Sequence, residues 1–249
     1  MTKRDSLAAV SHAVAGRIDA SVSNHHRRRL RKIGWEHALD ATDLGYAKGA
    51  TPPTEGNLVE VLIDGVEALP AIAAELAKAR SHVHLTGWFF SPELDLTRGH
   101  EPTILRNLLA ELAERMPVRV VVWRGAPLPL FSPSRSEVRT MLERFSRHNN
   151  IDCRLDSCVR LLHCHHEKTI VIDDRVAFVG GIDLTLDGGD KFDTARHQAR
   201  GKFGWHDATV RIEGPAVADV AEHFRLRWRG PAEEELPPAV IQPADWHRR

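Results

Sequence analysis

The chain has 249 residues, a mass of 27.9 kDa and a formal net charge of zero at neutral pH. Its hydrophobic content of 42% is enough for a globular core, and the length fits one large domain, or one domain with an arm. A balanced charge with a pI near 7.3 argues against a nucleic-acid-binding protein, because such domains are usually strongly basic.

The cysteines and the hydropathy pattern bear on the cellular compartment. Cys153, Cys158 and Cys164 lie in one short stretch, and an odd number of cysteines is unlike the framework of a disulfide-rich secreted domain. No apolar stretch approaches the roughly 18 residues needed to span a membrane. We therefore expect a cytoplasmic protein with reduced thiols, in contact with a membrane at most from its surface.

Residues 1–57 are predicted to form an arm that ends in a linker. A segment from Leu7 to Ile33 favours a helix, and the glycines and prolines between Gly45 and Gly56 are typical of a linker. The helical segment carries a basic run of His25, His26, Arg27, Arg28, Arg29, Arg31 and Lys32. This run is either a solvated helix face or a contact with anionic lipid.

Residues 58–230 alternate between strand and helix patterns and are predicted to form the main domain. The first strand, Leu58 to Ile63, precedes a helix at whose start Asp64 and Glu67 have the spacing of a capping box. The other predicted strands are 82–88, 118–123, short strands up to Leu155, 167–172, 176–179 and 208–212. The other predicted helices are near 104–112, 137–148 and 216–228. The proline-rich and acidic residues 231–249 are predicted to be a flexible tail.

Three residues in and beside the predicted strand 167–172 carry reactive chemistry. His166 and Lys168 are two positions apart in an extended segment, so their side chains point to the same face. A lysine can neutralise phosphoryl oxygens while a histidine attacks phosphorus or donates a proton. Asp173 follows at the hairpin formed by Asp173-Asp174-Arg175, where a carboxylate is expected to hold the second nitrogen of the imidazole.

The spacing His-x-Lys-x4-Asp, followed by Gly180-Gly181 and then Asp183, resembles the signature of the phospholipase D superfamily. The similarity extends upstream to Gly87-Trp88-Phe89-Phe90 and downstream to Trp205-His206-Asp207. It covers roughly residues 57–229, which is most of the chain. Its flanking segments are most similar to the first half of phospholipases that contain two such motifs.

This resemblance implies an α/β sandwich, in which helices cover both faces of a central mixed sheet after an N-terminal helical arm. It also implies cleavage of a phosphodiester through a phosphohistidine, without metal or cofactor. His166 would be nucleophile or general acid, Lys168 would bind phosphate and Asp173 would orient the site. The residues expected to shape the pocket or contact substrate are Gly181, Asp183, Trp205, His206 and Asp207, with weaker signals at Asp193 and His197.

The chain contains one such motif, whereas the resemblance implies an active site with two. Either two copies of the chain pair about a two-fold axis, or the chain is the first half of a longer or split protein. Glycerophospholipid is the expected substrate, and nucleic acid is not expected as a partner.

Three alternatives remain open at this stage. The chain could be a non-catalytic half that binds a partner chain, or a nuclease of the same superfamily. It could also be a metallohydrolase, since His163, His165 and His166 lie near the cysteines. However, Lys168 would repel a cation and the cysteines lack the paired spacing of a zinc site.

Overall fold

A computed structural model describes residues 16–17, 20–32, 53–97, 100–127, 132–145, 150–156, 164–186, 206–229 and 235–246. The chain divides into two compact units, Met1–Pro53 and Thr54–Arg249. In the first unit, residues 20–31 are helical, and the side chains of the basic run are exposed apart from half-buried Arg27. None of the described helices is both long and apolar enough to cross a lipid bilayer.

In the described residues of the second unit, seven strands form one mixed sheet. The strands are β1 (Leu58–Ile63), β2 (Val83–Gly87), β3 (Val118–Trp123), β4 (Ile151–Asp156), β5 (Thr169–Ile172), β6 (Val176–Gly180) and β7 (Ala208–Glu213). Their order in space is β1-β7-β6-β5-β2-β3-β4. Strands β2, β3 and β4 run parallel to one another, and the remaining neighbours pair antiparallel.

Helices cover both faces of this sheet, as the fold class predicted. The helices are α1 (Asp64–Ala77), α2 (Leu105–Ala113), α3 (Arg135–Phe145) and α4 (Ala216–Arg229). Because side chains alternate along a strand, Ile170 and Ile172 pack in the core beneath α1, α2 and α3, whereas Val171 packs beneath α4. The predicted α/β sandwich with a mixed central sheet is therefore confirmed.

The sheet has two ends with different contents. At the end that we call the site end, β2, β3 and β4 finish and β5 begins, as shown by the pairing of Thr86 with Thr169. At the opposite end, which we call the hairpin end, Asp173-Asp174-Arg175 connects β5 to β6. Ligands of open α/β sheets usually bind beyond the carboxyl ends of the parallel strands, which here is the site end.

The predicted hairpin is confirmed and has an identifiable turn. Asp173 and Asp174 have φ angles of 57° and 53°, and the N–H of Arg175 donates to the carbonyl of Ile172 at 2.9 Å. Positive φ at both central residues is the mark of a type I′ turn, whose twist matches that of the paired strands. Aspartate is one of the few non-glycine residues that adopt this conformation readily.

The start of α1 differs from the prediction. Its N-cap is Ile63, and the Glu67 carboxylate accepts a hydrogen bond from the Ile63 N–H at 2.7 Å. Asp64 does not act as the cap of a capping box, because its carboxylate bonds instead to His206 and Asp207 near β7. The contacts of Asp64 with residues far away in sequence replace the local capping interaction that its spacing from Glu67 predicted.

Residues 235–246 also differ from the prediction of a flexible tail beginning at 231. Leu236 is buried, the N–H of Val240 donates to Asp174 at 2.8 Å, and the N–H of Asp245 donates to Glu213 at 3.1 Å. Prolines keep this segment out of helix and sheet. Its backbone N–H groups therefore donate to carboxylates at the hairpin end instead of to a helix or sheet.

Candidate functional site

His166 and Lys168 lie just before β5 at the site end. The ammonium nitrogen of Lys168 is 3.0 Å from Nδ1 and 3.2 Å from Nε2 of His166. The Lys168 side chain is almost completely buried, whereas His166 is exposed. The pair therefore presents an accessible imidazole beside a fixed positive charge, as the two-residue spacing predicted.

Asp183, three residues after β6, is the carboxylate that contacts Lys168. Its Oδ2 lies 3.3 Å from the lysine nitrogen, and only 3% of its side chain is exposed. Burial raises the pKa of Asp183 to about 6, and the nearby charge of Lys168 only partly opposes this effect. Its Oδ1 is buried without a hydrogen-bond partner in the described residues, so Asp183 retains an unused acceptor next to Lys168.

Asp207 fills the space that Gly181 leaves open. A Cβ atom built on Gly181 would lie 2.1 Å from Oδ1 of Asp207, a distance that no side chain tolerates. Oδ1 of Asp207 also accepts the N–H of Ala208 at 2.7 Å, which orients the carboxylate. The second glycine of the Gly-Gly pair is thus required by the close approach of this carboxylate.

The environment of His166 keeps its imidazole neutral. Desolvation lowers the pKa of His166, the positive charge of Lys168 lowers it further, and the negative charge of Asp207 partly opposes both. A neutral imidazole has a free nitrogen lone pair at neutral pH, as a nucleophile or general base requires. Asp207, and not Asp173, is the carboxylate whose charge acts on this ring.

Asp64 holds the segment that carries Asp207, a role that the sequence did not reveal. Its Oδ2 lies 2.7 Å from Nδ1 of His206, and its Oδ1 accepts the N–H of Asp207 at 2.9 Å. The N–H of Asp64 donates to the carbonyl of Asp207 at 2.8 Å. The available signal was an acidic residue directly after the first strand, at the same end of the sheet as the motif.

Trp88, the residue after β2, lies beside the histidine and next to Trp123 at the end of β3. The ring of Trp88 is 5.6 Å from that of His166 and 6.1 Å from that of Trp123. The sequence segment around Trp88 contributed to the family resemblance, but Trp88 was not predicted as a site residue. An aromatic face beside His166 and Lys168 could form an apolar wall for part of a ligand.

Asp173 lies at the hairpin end, and its expected contact with the His166 imidazole is wrong. The length of β5, about 13 Å at a typical strand rise, separates it from the reactive pair. Its carboxylate accepts hydrogen bonds from the backbone N–H groups of Arg80, Ser81 and His82 at 2.7–3.1 Å. The fixed spacing thus places Asp173 where it closes the turn and anchors the loop before β2.

Several predicted residues lie outside the described ranges: Trp205, Asp193, His197, Cys158 and His163. Of the other candidate metal ligands, Cys153 packs against the core, and burial raises the pKa of its thiol to about 12. His165 faces Glu167 and Asp156 on the reverse side of the reactive segment. In the described ranges, no group of three or more His, Cys, Asp or Glu residues is arranged to hold a metal ion.

Curated proteins similar to this chain are phospholipases D, although no protein-family model matches. Phospholipase D zeta 1 of Arabidopsis thaliana is 27% identical over 252 residues, which cover 82% of this chain. Phospholipase D C of Dictyostelium discoideum is 24% identical over 220 residues, which cover 74%. The chain spans only 22% and 13% of the lengths of these two relatives.

The fold is similar to that of NucT from Helicobacter pylori. The TM-score is 0.50 at 10% sequence identity, and the match covers 70% of this chain and 96% of that one. At this level of identity the likeness concerns the fold alone. The sequence relatives, the fold and the motif assembled at the site end agree, and the chain contains a domain of the phospholipase D superfamily.

Proposed function

We propose that this chain is one catalytic half of a phospholipase D-type phosphodiesterase that hydrolyses or transfers the phosphatidyl group of glycerophospholipids. The observation that supports this best is the buried Lys168 ammonium beside an accessible His166 imidazole with a lowered pKa. A fixed cation and a neutral nucleophile together match the needs of attack on an anionic phosphorus centre.

The first step forms a phosphohistidine. A ring nitrogen of His166 attacks phosphorus, the bond from phosphorus to the leaving oxygen breaks, and a protonated second histidine gives its proton to that oxygen. Lys168 neutralises the phosphoryl oxygens, and its contact with Asp183 holds the ammonium in place before substrate binds. The free acceptor of Asp183 and the neighbouring Asp207 shape the polar side of the pocket.

The second step restores the enzyme. Water, or an acceptor alcohol, attacks phosphorus while the second histidine removes its proton, and the bond from phosphorus to nitrogen breaks. Hydrolysis and transphosphatidylation differ only in this acceptor. The chemistry needs positive charge and proton transfer, both of which lysine and histidine side chains supply without a metal or cofactor.

The second histidine is proposed to come from a second copy of the motif, in a second protomer or in a second half. The chain contains one His-x-Lys-x4-Asp motif and spans a small fraction of the length of its phospholipase D relatives. A two-fold homodimer would face two copies of His166 across one interface. The other arrangement is a second half with its own motif, either in a longer polypeptide or in a partner chain.

The substrate assignment follows the relatives, which are named phospholipases D. The exposed basic run of residues 25–32 is proposed to contact anionic headgroups at a membrane surface. Sedimentation with phosphatidylserine vesicles at low and high salt tests this contact. Binding that is equal at both salt concentrations, or absent at both, would contradict an electrostatic role for the arm.

The decisive experiment measures headgroup release from phosphatidylcholine vesicles by the purified chain, with and without EDTA. We expect release that survives EDTA and falls to background in His166→Ala. His82→Gln serves as a matched control, because His82 lies at the hairpin end beside Asp174 and should leave the rate unchanged. Circular dichroism checks that both variants fold.

Three other results would redirect the proposal. No release from the folded protein with several headgroups would favour a missing second half or a non-catalytic half that binds a partner. Cleavage of a nucleic acid in place of phospholipid would favour a nuclease of the same superfamily. Loss of activity with EDTA would favour a metal-dependent reaction.

A further inference from the structure

The reverse side of the reactive segment carries a second cluster of charged side chains. His165 and Glu167 alternate with His166 and Lys168, so they point away from the site and toward α4. Only 2% of the His165 side chain and 20% of the Glu167 side chain are exposed. Polar and ionisable side chains with this little exposure require partners, and here the partners come from β4 and α4.

Glu167 is the centre of this cluster. Its carboxylate oxygens contact Nε2 of His165 and Nε2 of His223. One of them also lies 3.4 Å from Nε of Arg227. Burial alone would raise the pKa of Glu167, but the hydrogen bond and charge of His165 and the charges of His223 and Arg227 lower it. Glu167 is therefore an ionised carboxylate held from three directions.

Asp156, at the end of β4, completes what we call the Glu167 cluster: His165, Glu167, Asp156, His223 and Arg227. It accepts a hydrogen bond from Arg227 at 2.8 Å. Its Oδ2 also lies 3.5 Å from Nδ1 of His165. His223 and Arg227 are one helical turn apart on α4, so both reach the same carboxylate. The cluster thereby connects β4, α4 and the reactive segment.

The reactive segment depends on side-chain contacts of this kind for its position. The first residue of β5 paired with β2 is Thr169, so His165, His166 and Glu167 precede that ladder. By contrast, α4 is anchored firmly, because Phe224 and Trp228 on its inner side are completely buried. The Glu167 cluster links the loosely paired segment to this anchored helix.

We propose that Glu167, the residue between the reactive histidine and lysine, is a positioning residue. Because His165, His223 and Arg227 bind its carboxylate, Glu167 fixes the position and orientation of the backbone that carries His166 and Lys168. The inference rests on the proposed function for its kinetic consequence, because a displacement of about 1 Å in a reacting group can cost on the order of 100-fold in rate. Its structural content is independent of that function.

The test compares Glu167→Ala, Glu167→Gln and Glu222→Gln. We expect Glu167→Ala to lower kcat for headgroup release by about 10- to 100-fold with little change in KM, since the substrate does not touch Glu167. Glu167→Gln keeps the size of the side chain and one acceptor oxygen, so it should recover part of the loss. Glu222→Gln is the matched control, because Glu222 is an exposed carboxylate on α4 that pairs with Arg225.

A readout that does not require turnover separates this inference from the proposed function. Two-dimensional NMR of the histidine ring nitrogens follows the titration of His166 in each variant. A shifted His166 titration in Glu167→Ala, but not in Glu222→Gln, supports a positioning role even if no vesicle substrate is cleaved. An unchanged His166 titration, with only a lower Tm, would overturn it and leave Glu167 a purely structural residue.

Discussion

The two ends of the sheet use aspartate for opposite purposes. At the site end, Asp183 is buried beside Lys168 with one oxygen lacking a hydrogen bond in the described residues, and burial raises its pKa to about 6. At the hairpin end, Asp173 accepts backbone N–H groups from Arg80 to His82. Burial alone would raise its pKa, but bonds from Ser81 and His82 outweigh that effect and lower it.

The difference shows that the environment of a carboxylate, and not its place in a motif, defines its role. Asp173 belongs to the signature spacing but has its acceptor oxygens occupied by the loop before β2, as expected for a structural residue. Asp183 and Asp207 lie outside the core spacing, yet they surround the reactive pair. Carboxylates with raised pKa values next to cations are typical of functional sites, whereas satisfied ones are typical of stabilising contacts.

The largest expected effect is at Lys168. Lys168→Met should lower the rate of headgroup release by about 1000-fold, because it removes the charge proposed to neutralise the phosphoryl oxygens. Lys78→Met is the control, since Lys78 is half exposed and pairs with Glu75 away from the motif. Steady-state kinetics on phosphatidylcholine vesicles measure both. Equal rates for the two variants would show that the site end does not carry the reaction.

A smaller loss is expected when Asp207 is displaced. Gly181→Ala introduces a Cβ that would lie 2.1 Å from the Asp207 carboxylate, so that carboxylate must move. We expect kcat to fall by roughly 100-fold, because displacements of about 1 Å have that cost. At Gly16 no atom lies within 4 Å of an added Cβ, so Gly16→Ala should leave kcat unchanged. A wild-type kcat in Gly181→Ala would show that the position of the Asp207 carboxylate does not affect the reaction.

The raised pKa of Asp183 predicts a dependence of stability on pH. Its folded pKa of about 6 exceeds the ordinary value of 3.8, so the native state binds the proton more tightly than the unfolded state does. The contribution of this group is complete below pH 3.8 and is lost as the pH rises through 6. As the pH rises from 4 to 7, the free energy of unfolding of Asp183→Asn should therefore increase relative to that of wild type by roughly 1–3 kcal/mol.

Urea denaturation of both proteins across that pH range measures the difference. If the stability of Asp183→Asn instead falls relative to wild type as the pH rises, the attraction of Lys168 outweighs the burial of the carboxylate.

The smallest expected effect on the reaction is at Asp173. Asp173→Asn should destabilise the fold by about 1–2 kcal/mol, because neutral acceptors bond N–H groups more weakly than charged ones do. Folded protein should keep the wild-type kcat. Since the folded pKa of Asp173 is lowered, its contribution is present above the ordinary value of 3.8 and is lost as the pH falls through the folded pKa.

Thermal unfolding at pH 7 and pH 3, together with kcat at pH 7, tests this prediction. Asp152→Asn is the control, because that side chain is about half exposed. A fall in kcat of tenfold or more in folded Asp173→Asn would show that Asp173 contributes to the reaction.

The local sequence pattern was sufficient to predict much of the fold. The two-residue spacing of His166 and Lys168 in the extended segment before β5 placed both side chains on one side, because side-chain direction in an extended chain follows from covalent geometry. The Asp-Asp turn and the apolar stripe of α4, which includes Val217, Ala221 and Phe224, were also readable, since both depend on residues close in sequence.

Tertiary structure decided which carboxylate meets which cation. Asp64 joins His206 across 142 positions, and Asp173 meets Ser81 across 92, so no local window contains either pair. The docking of residues 235–246 and the Glu167 cluster have the same origin. Sequence periodicity determines which face of an element a side chain occupies, whereas the order of strands in the sheet determines what lies opposite that face.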